Sequence, residues 1–347
     1  MKRLHKKGQA TLIILLTMIF MTMTIASAAA EEMVFKPKGD KKIKIGVVDM
    51  LSSLEVAGLF NKAHEASAKK RGWDIKIFDL KDNIPESANV IENMISAGYD
   101  GIIIHWVDLK ACSKQVKKAA DKGIAVISCA CRGGKKYPGI IADLAEYDAV
   151  KGALSAEYLA NKLDAGDKIV MLYVPFLQIN ALNAGAAKAV FDLYKIKVAQ
   201  EIFFPMTGSP IQWAYDQARN VLTADTKKEI KGWWDSSESF GISAARAAHD
   251  LGRDDFIVVT MDDSPNTYSE FRKYPSLQAT AGSGGQVKDI DKGVFVLLDK
   301  AFKGGPMEMQ QFIGNVPNLI TKENLPPKGY YYLPGARYEG PPDFVVK

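Results

Sequence analysis

The 347 residues carry 45 Lys and Arg against 40 Asp and Glu, a formal charge of +5, with only three cysteines and four histidines. Lys2, Arg3, Lys6 and Lys7 supply four of those charges, so the rest of the chain is near neutral and offers no clustered basic face for nucleic acid. The length allows two domains, and Cys112, Cys129 and Cys131 are too few and too close together for a disulfide scaffold.

The four cations open a targeting pattern. Residues 11–25 form an apolar run, and small residues at 26–30 precede Glu31 and Glu32. That order predicts a cleavable secretory signal over 1–28. The run is short for a spanning helix, which needs about 20 apolar residues.

From Lys42 onward, short β-branched runs alternate with amphipathic helices. Strands are predicted at 43–49, 74–80, 101–106 and 124–129, then at 168–174, 198–204, 230–234, 256–261 and 277–281. Most are continuous apolar runs, the pattern of a strand covered on both faces. Helix starts lie between them. Ser52 with Glu55, Asp143 with Glu146, and Asp235 with Glu238 have capping-box spacing, and Asp82–Asn83–Pro85 and Ser264–Pro265 are caps followed by proline. The Asp143 pair predicts a long helix over 145–163. A last helix (284–303) and a strand (311–320) follow, and residues 331–347, rich in Tyr, Pro and Gly, read as a surface tail. Strand–helix alternation of this kind predicts open parallel sheets. The expected lobes are 42–144 plus 283–310 and 145–282 plus 311–330.

Ligands of open parallel sheets bind beyond the carboxyl ends of the strands. The residues there are Ser52, Trp106, Arg132, Asn180, Trp213, Trp234, Asp235, Asp262 and Ser283. Carboxylates, amides, one guanidinium and indoles suit a polyhydroxylated or amine-bearing solute. The four tryptophans Trp106, Trp213, Trp233 and Trp234 read equally as core, Asp235 equally as a helix cap, and His105 as a satisfied structural histidine. Cys129 and Cys131 share one face of a strand; buried small hydrophobes are a better reading than one bridge or a metal pair. No dinucleotide or phosphate-loop signature, nucleophile elbow or metal-ligand set occurs, so no enzyme activity and no cofactor is expected.

IKIGVVDM, GYDGIII with HWVD, KGIAVIS, DKIVML and above all IVVTMDDSP resemble the type I periplasmic solute-binding proteins of ABC transporters, in the ribose/galactose-type sugar-binding branch. The likeness covers about residues 42–305. It implies two Rossmann-like α/β lobes with parallel sheets, joined by a three-strand hinge near 142–145, 262–264 and 281–284. It also implies a periplasmic monomer that closes over a small polar solute, a sugar, polyol or related molecule, and delivers it to an inner-membrane permease. A sensor that presents its ligand to a histidine kinase or chemoreceptor is the alternative. By position, Asp262 matches the family's hinge-proximal ligand aspartate and Asp235 an Asn/Asp position. Asn180 falls near a ligand arginine, Ser283 near a glutamine, Trp213 near a stacking aromatic, and Ser52 in the first ligand loop. Where sugar binders carry Asp-Arg, this chain has Cys129–Ala130–Cys131–Arg132.

Overall fold

The computed structural model describes residues 32–328, apart from 133, 134, 207, 254, 283–286 and 288. The expected signal segment and the tail 331–347 lie outside the described residues.

After β1 (Glu32–Phe35), the first sheet is built from β2 (Lys44–Asp49), β3 (Asp74–Asp79), β4 (Gly101–His105), β5 (Ala125–Cys129) and β6 (Ala142–Glu146). With β13 (Gln311–Asn315) it runs in the order β13-β6-β5-β4-β2-β3, and every neighbouring pair is parallel. The second sheet uses β7 (Lys168–Tyr173), β8 (Lys197–Phe203), β9 (Ile230–Asp235), β10 (Ile257–Met261), β11 (Leu277–Gly282) and β14 (Asn318–Thr321). Its order is β14-β11-β10-β9-β7-β8, with only β14 antiparallel among the pairs. β12 (Gly305–Glu308) pairs with β1 at the side. The protein is therefore two α/β lobes with parallel sheets.

The continuous apolar runs follow from this arrangement. Ile102 and Ile104 of β4 face Met94 of α2 (Ser87–Ser96) and Val116 of α3 (Ser113–Asp121). Ile103 faces the other way, toward Phe60 of α1 (Glu55–Lys70) and Leu298 of the last helix. All three isoleucines are fully buried, and each burial contributes about 1.5–3 kcal/mol. In the second lobe, Trp233 and Trp234 are both fully buried, one in the core on either face of β9. Alternation along a strand requires that split.

The remaining helices are α4 (Asp148–Ala160), α5 (Gln178–Leu193), α6 (Pro210–Ala224), α7 (Glu238–Asp250), α8 (Pro265–Lys273) and α9 (Val296–Lys303), the last preceded by a π-helical turn at Ile290–Phe295. α4 and α5 approach so closely at Gly152 that a Cβ there would stand 2.1 Å from the Asn183 carbonyl oxygen.

Three expectations are corrected. The segment Ala142–Glu146 is a buried strand of the first sheet, so Asp143 and Glu146 do not cap a helix; Asp143 instead accepts from the Ser128 hydroxyl and the Cys131 amide. The single strand expected at 311–320 is two strands, one in each sheet, because the chain crosses between lobes at Val316–Pro317. That crossing replaces the one expected at 262–264, since β10, α8 and β11 stay on the second sheet. The other crossings lie at Tyr147, between β6 and α4, and after β11. The cysteines are all free and buried. Burial pushes the Cys112 thiol up to about 11 and the other two well above their usual value, which leaves them inert.

Candidate functional site

The carboxyl ends of both sheets open onto one cavity of about 940 Å³, counting the space that meets solvent. The first lobe contributes Leu51 after β2, Asp82 after β3, Trp106 after β4 and Ala130 after β5. The second contributes Leu177 after β7, Met206 after β8, Ser237 after β9 and Asp262 after β10.

The strand ends are held in an uncommon backbone. Asp82, Trp106, Ala130, Met206 and Asp262 all line the cavity with φ between 53° and 66°. Left-handed conformations cost non-glycine residues energy and persist where surrounding structure enforces them, chiefly at functional sites. Trp106, Ala130 and Asp262 are the first residues past β4, β5 and β10, and Asp82 and Met206 the third past β3 and β8. Trp106 is further fixed by stacking on His105, with ring centroids 4.1 Å apart and planes 27° apart. His105 itself is fully buried, with Nδ1 3.4 Å from Asp49, but neither ring nitrogen has a hydrogen-bond partner among the described residues, so the satisfied histidine expected from the sequence is not what the structure shows.

Charge concentrates where the lobes join. Lys151, on the first turn of α4, is buried between Glu146 at 2.6 Å and the carboxylate of Asp262. Glu146 closes the first sheet and Asp262 follows β10 of the second, so this ammonium ties the two sheets together. Burial pushes Glu146 up to about 8 against the pull of Lys151, with Asp262 and Asp148 adding repulsion. Asp148 rises to about 7, first by burial and then by repulsion from Asp143 and Asp262. Glu238, on the first turn of α7, rises to about 8 by burial, although it accepts from Thr267. Lys151 itself is held above its usual value despite its burial, by the two carboxylates.

Of the residues singled out in the sequence, Asp262, Asn180 and Trp106 line this cavity. Asn180 accepts from Ser236 at 3.0 Å. The others lie elsewhere. Asp235 is fully buried behind the wall, accepting from Thr260 at 2.6 Å and from the Ser237 amide at 3.1 Å. Trp234 is core, its indole donating to Ser155 at 2.9 Å. Arg132 donates to the carbonyls of Lys135, Gln310 and Gln311, and so ties its loop to the start of β13. Trp213 packs edge-on against Phe204, half-buried, and Ser52 donates to Asp49 at 2.7 Å. Ser283 lies outside the described residues.

Sequence reasoning missed Glu146, Asp148, Lys151, Asn183 and Glu238, all of which line the cavity. The first three follow or end a strand that was read as helix; reading ADLAE as a strand would have put them at a strand end. Glu238 was visible only as the second half of a capping box. In the structure Ser237 caps α7 without a side-chain bond.

Residues 55–282 match the model of the family described as "Periplasmic binding protein domain". The chain is 22% identical to the ribose import binding protein of Escherichia coli (strain K12) over 206 residues, 58% of this chain and 66% of that protein. It is 23% identical to the xylitol-binding protein of Mycolicibacterium smegmatis over 290 residues, 82% of this chain and 78% of the relative. In three dimensions it resembles a sugar ABC transporter protein from Yersinia enterocolitica, with a TM-score of 0.75 and 21% identity, covering 83% and 85% of the two chains.

Proposed function

The chain belongs to the periplasmic binding protein family, and from that premise we propose that it is the solute receptor of an ABC transporter. It captures a sugar or sugar-like polyol between its lobes, in the periplasm, and delivers it to a membrane permease. The observation that carries this reading is the cavity at the carboxyl ends of both sheets, with five strand-end residues turned to face it by a left-handed backbone. The names of the ribose- and xylitol-binding relatives support a hydroxylated solute. Among the described residues, no helix is long and apolar enough to cross a membrane.

The residues divide the work of binding. Trp106 and Phe240 present aromatic surface to the C–H face of a ring or chain. Asn180, Asn183, Ser237 and Asp262 present amides, a hydroxyl and a carboxylate to hydroxyl groups. Because these groups come from both lobes, a bound solute stabilises the lobes together, and closure is a shift of population toward that state. Three chain crossings are few enough to bend.

Thermal melting against a panel of sugars and polyols tests the proposal. A true ligand at a hundredfold excess over its dissociation constant adds about 2.7 kcal/mol of stability, and Asp262→Asn is expected to remove most of that shift. A panel that moves the melting temperature equally in both proteins, or in neither, argues against the cavity as the site.

A further inference from the structure

The side chains that line the cavity are strongly unequal in charge. Five carboxylates (Asp82, Glu146, Asp148, Glu238 and Asp262) face it with a single ammonium, Lys151, and no arginine among the described residues. Lys151 is already engaged by Glu146 and Asp262. A second observation points the same way. Asn183 is 4% exposed and lines the cavity, yet its Oδ1 has no hydrogen-bond partner; the same is true of Oδ1 of Asp82. These atoms are acceptors. A buried acceptor left unmatched costs about 1–3 kcal/mol, so the site is completed by a molecule that donates. An anionic solute finds only the engaged Lys151 to meet it here, and a neutral polyol satisfies the acceptors while leaving the carboxyls, three of which ionise near pH 7 to 8, without a counter-charge.

We propose that the captured solute is a hydroxylated amine, an amino sugar or amino polyol, whose ammonium sits among the carboxylates of Asp148, Glu238 and Asp262. This rests on the reading of the cavity as the solute site. The ammonium supplies several donors and the missing positive charge; the hydroxyl groups meet the amides of Asn180 and Asn183; and the carbon skeleton lies against Leu51, Leu177 and Phe240. The other groups facing these carboxylates do not replace it. Glu146 faces Lys151, Asp262 and Asp148. Asp148 faces Lys151, Asp143 and Asp262. Glu238 faces Asp262, Asp263 and the hydroxyls of Thr267 and Ser264, and Ser264 is itself bonded to Glu55 at 2.8 Å. Apart from Lys151, every charged group in this set is an anion.

Binding of a cation and binding of protons therefore compete. With Asp148 at about 7 and Glu146 and Glu238 at about 8, an arriving ammonium drives protons off these carboxyls. Affinity for it rises as pH rises through that range.

Calorimetric titration of the whole protein with matched pairs tests this, each amine an alkylammonium that keeps its proton above about pH 8 as a lysine side chain does: glucamine and N-methylglucamine against sorbitol, and galactamine against galactitol. The amine member of at least one pair is expected to bind about tenfold or more tightly than its neutral partner at pH 8, with the preference shrinking at pH 6. Proton release is expected to show as heats that depend on the buffer's ionisation enthalpy. Asp148→Asn and, independently, Glu238→Gln are expected to narrow the preference, with melting of the unliganded variants as the check that they fold. Neutral members binding as tightly as the amines, with no pH dependence, overturn the amine and leave the solute receptor standing. Binding by neither member of any pair overturns both readings.

Discussion

Lys151 shows what the residue scale adds to the sequence. It is buried, pairs with carboxylates from the two sheets, and had no motif to announce it. Arg132 is the opposite case: a lone arginine in a strand-end loop looks like a ligand group, and its guanidinium is spent on three backbone carbonyls. Sequence position placed only Arg132 at the right end of the sheet. Only the direction of the side chain separates a lining group from a strut, and that depends on packing. The carboxyl cluster has a further consequence for stability. Glu146, Asp148 and Glu238 bind protons more tightly folded than unfolded, so their contribution is complete below about pH 4 and is lost progressively as pH rises from there to about 7 to 8. His64 runs the other way. Burial first, then repulsion from His105, lowers it to about 3 from 6.5, so stability is lost as pH falls below 6.5. Between about pH 4.5 and 6.5 the three carboxyls outweigh the one histidine, so the unliganded protein is expected to melt highest near pH 4 to 5 and progressively lower up to about pH 8, read by calorimetric melting across pH 4 to 9. Glu238→Gln is expected to flatten the fall between about pH 5 and 8, and an unchanged slope there in that variant contradicts the assignment.

At the scale of elements, the strands with continuous apolar runs were legible and those without were not. β4 and β5 are wholly buried and mostly apolar, whereas β6 reads ADLAE, with carboxylates spaced as a capping box. The strand is buried all the same, because Asp143 accepts from Ser128, Cys131 and Arg132. That network was invisible to hydrophobic periodicity. The cap at Ser264 was legible: the Ser264 hydroxyl accepts from the Thr267 amide, and the Thr267 hydroxyl accepts from the Ser264 amide. The tightest helix contact was not, since nothing in a sequence says that Gly152 touches Asn183. Gly152→Ala is expected to destabilise the protein by about 1–3 kcal/mol, the usual cost of overpacking, because the obstruction is backbone. Relief would push the start of α5 away from α4, so solute affinity is expected to fall as well. Urea unfolding and calorimetric titration of the one variant read both effects; a fully stable Gly152→Ala protein contradicts the packing described.

At the scale of the molecule, alternation of strand and helix was enough for two α/β lobes with parallel sheets, and the resemblance carried by segments such as IVVTMDDSP led to the family. It did not place all the crossings. Val316–Pro317 lies inside what periodicity reads as one strand, and the two halves of that stretch bind different sheets. The crossings matter because they set what moves: Glu146 ends the strand before one of them, Lys151 lies on the first turn of the helix after it, and both line the cavity. Titration of the protein by calorimetry, using the hydroxylated solute that most raises its melting temperature, is the most direct measurement of the central claim. A single saturable site per chain is expected, with affinity about micromolar or better and a tenfold or greater loss in Asp262→Asn. Saturable binding that Asp262→Asn leaves intact, or no saturable heat from any hydroxylated solute, contradicts a receptor whose ligand sits between the lobes.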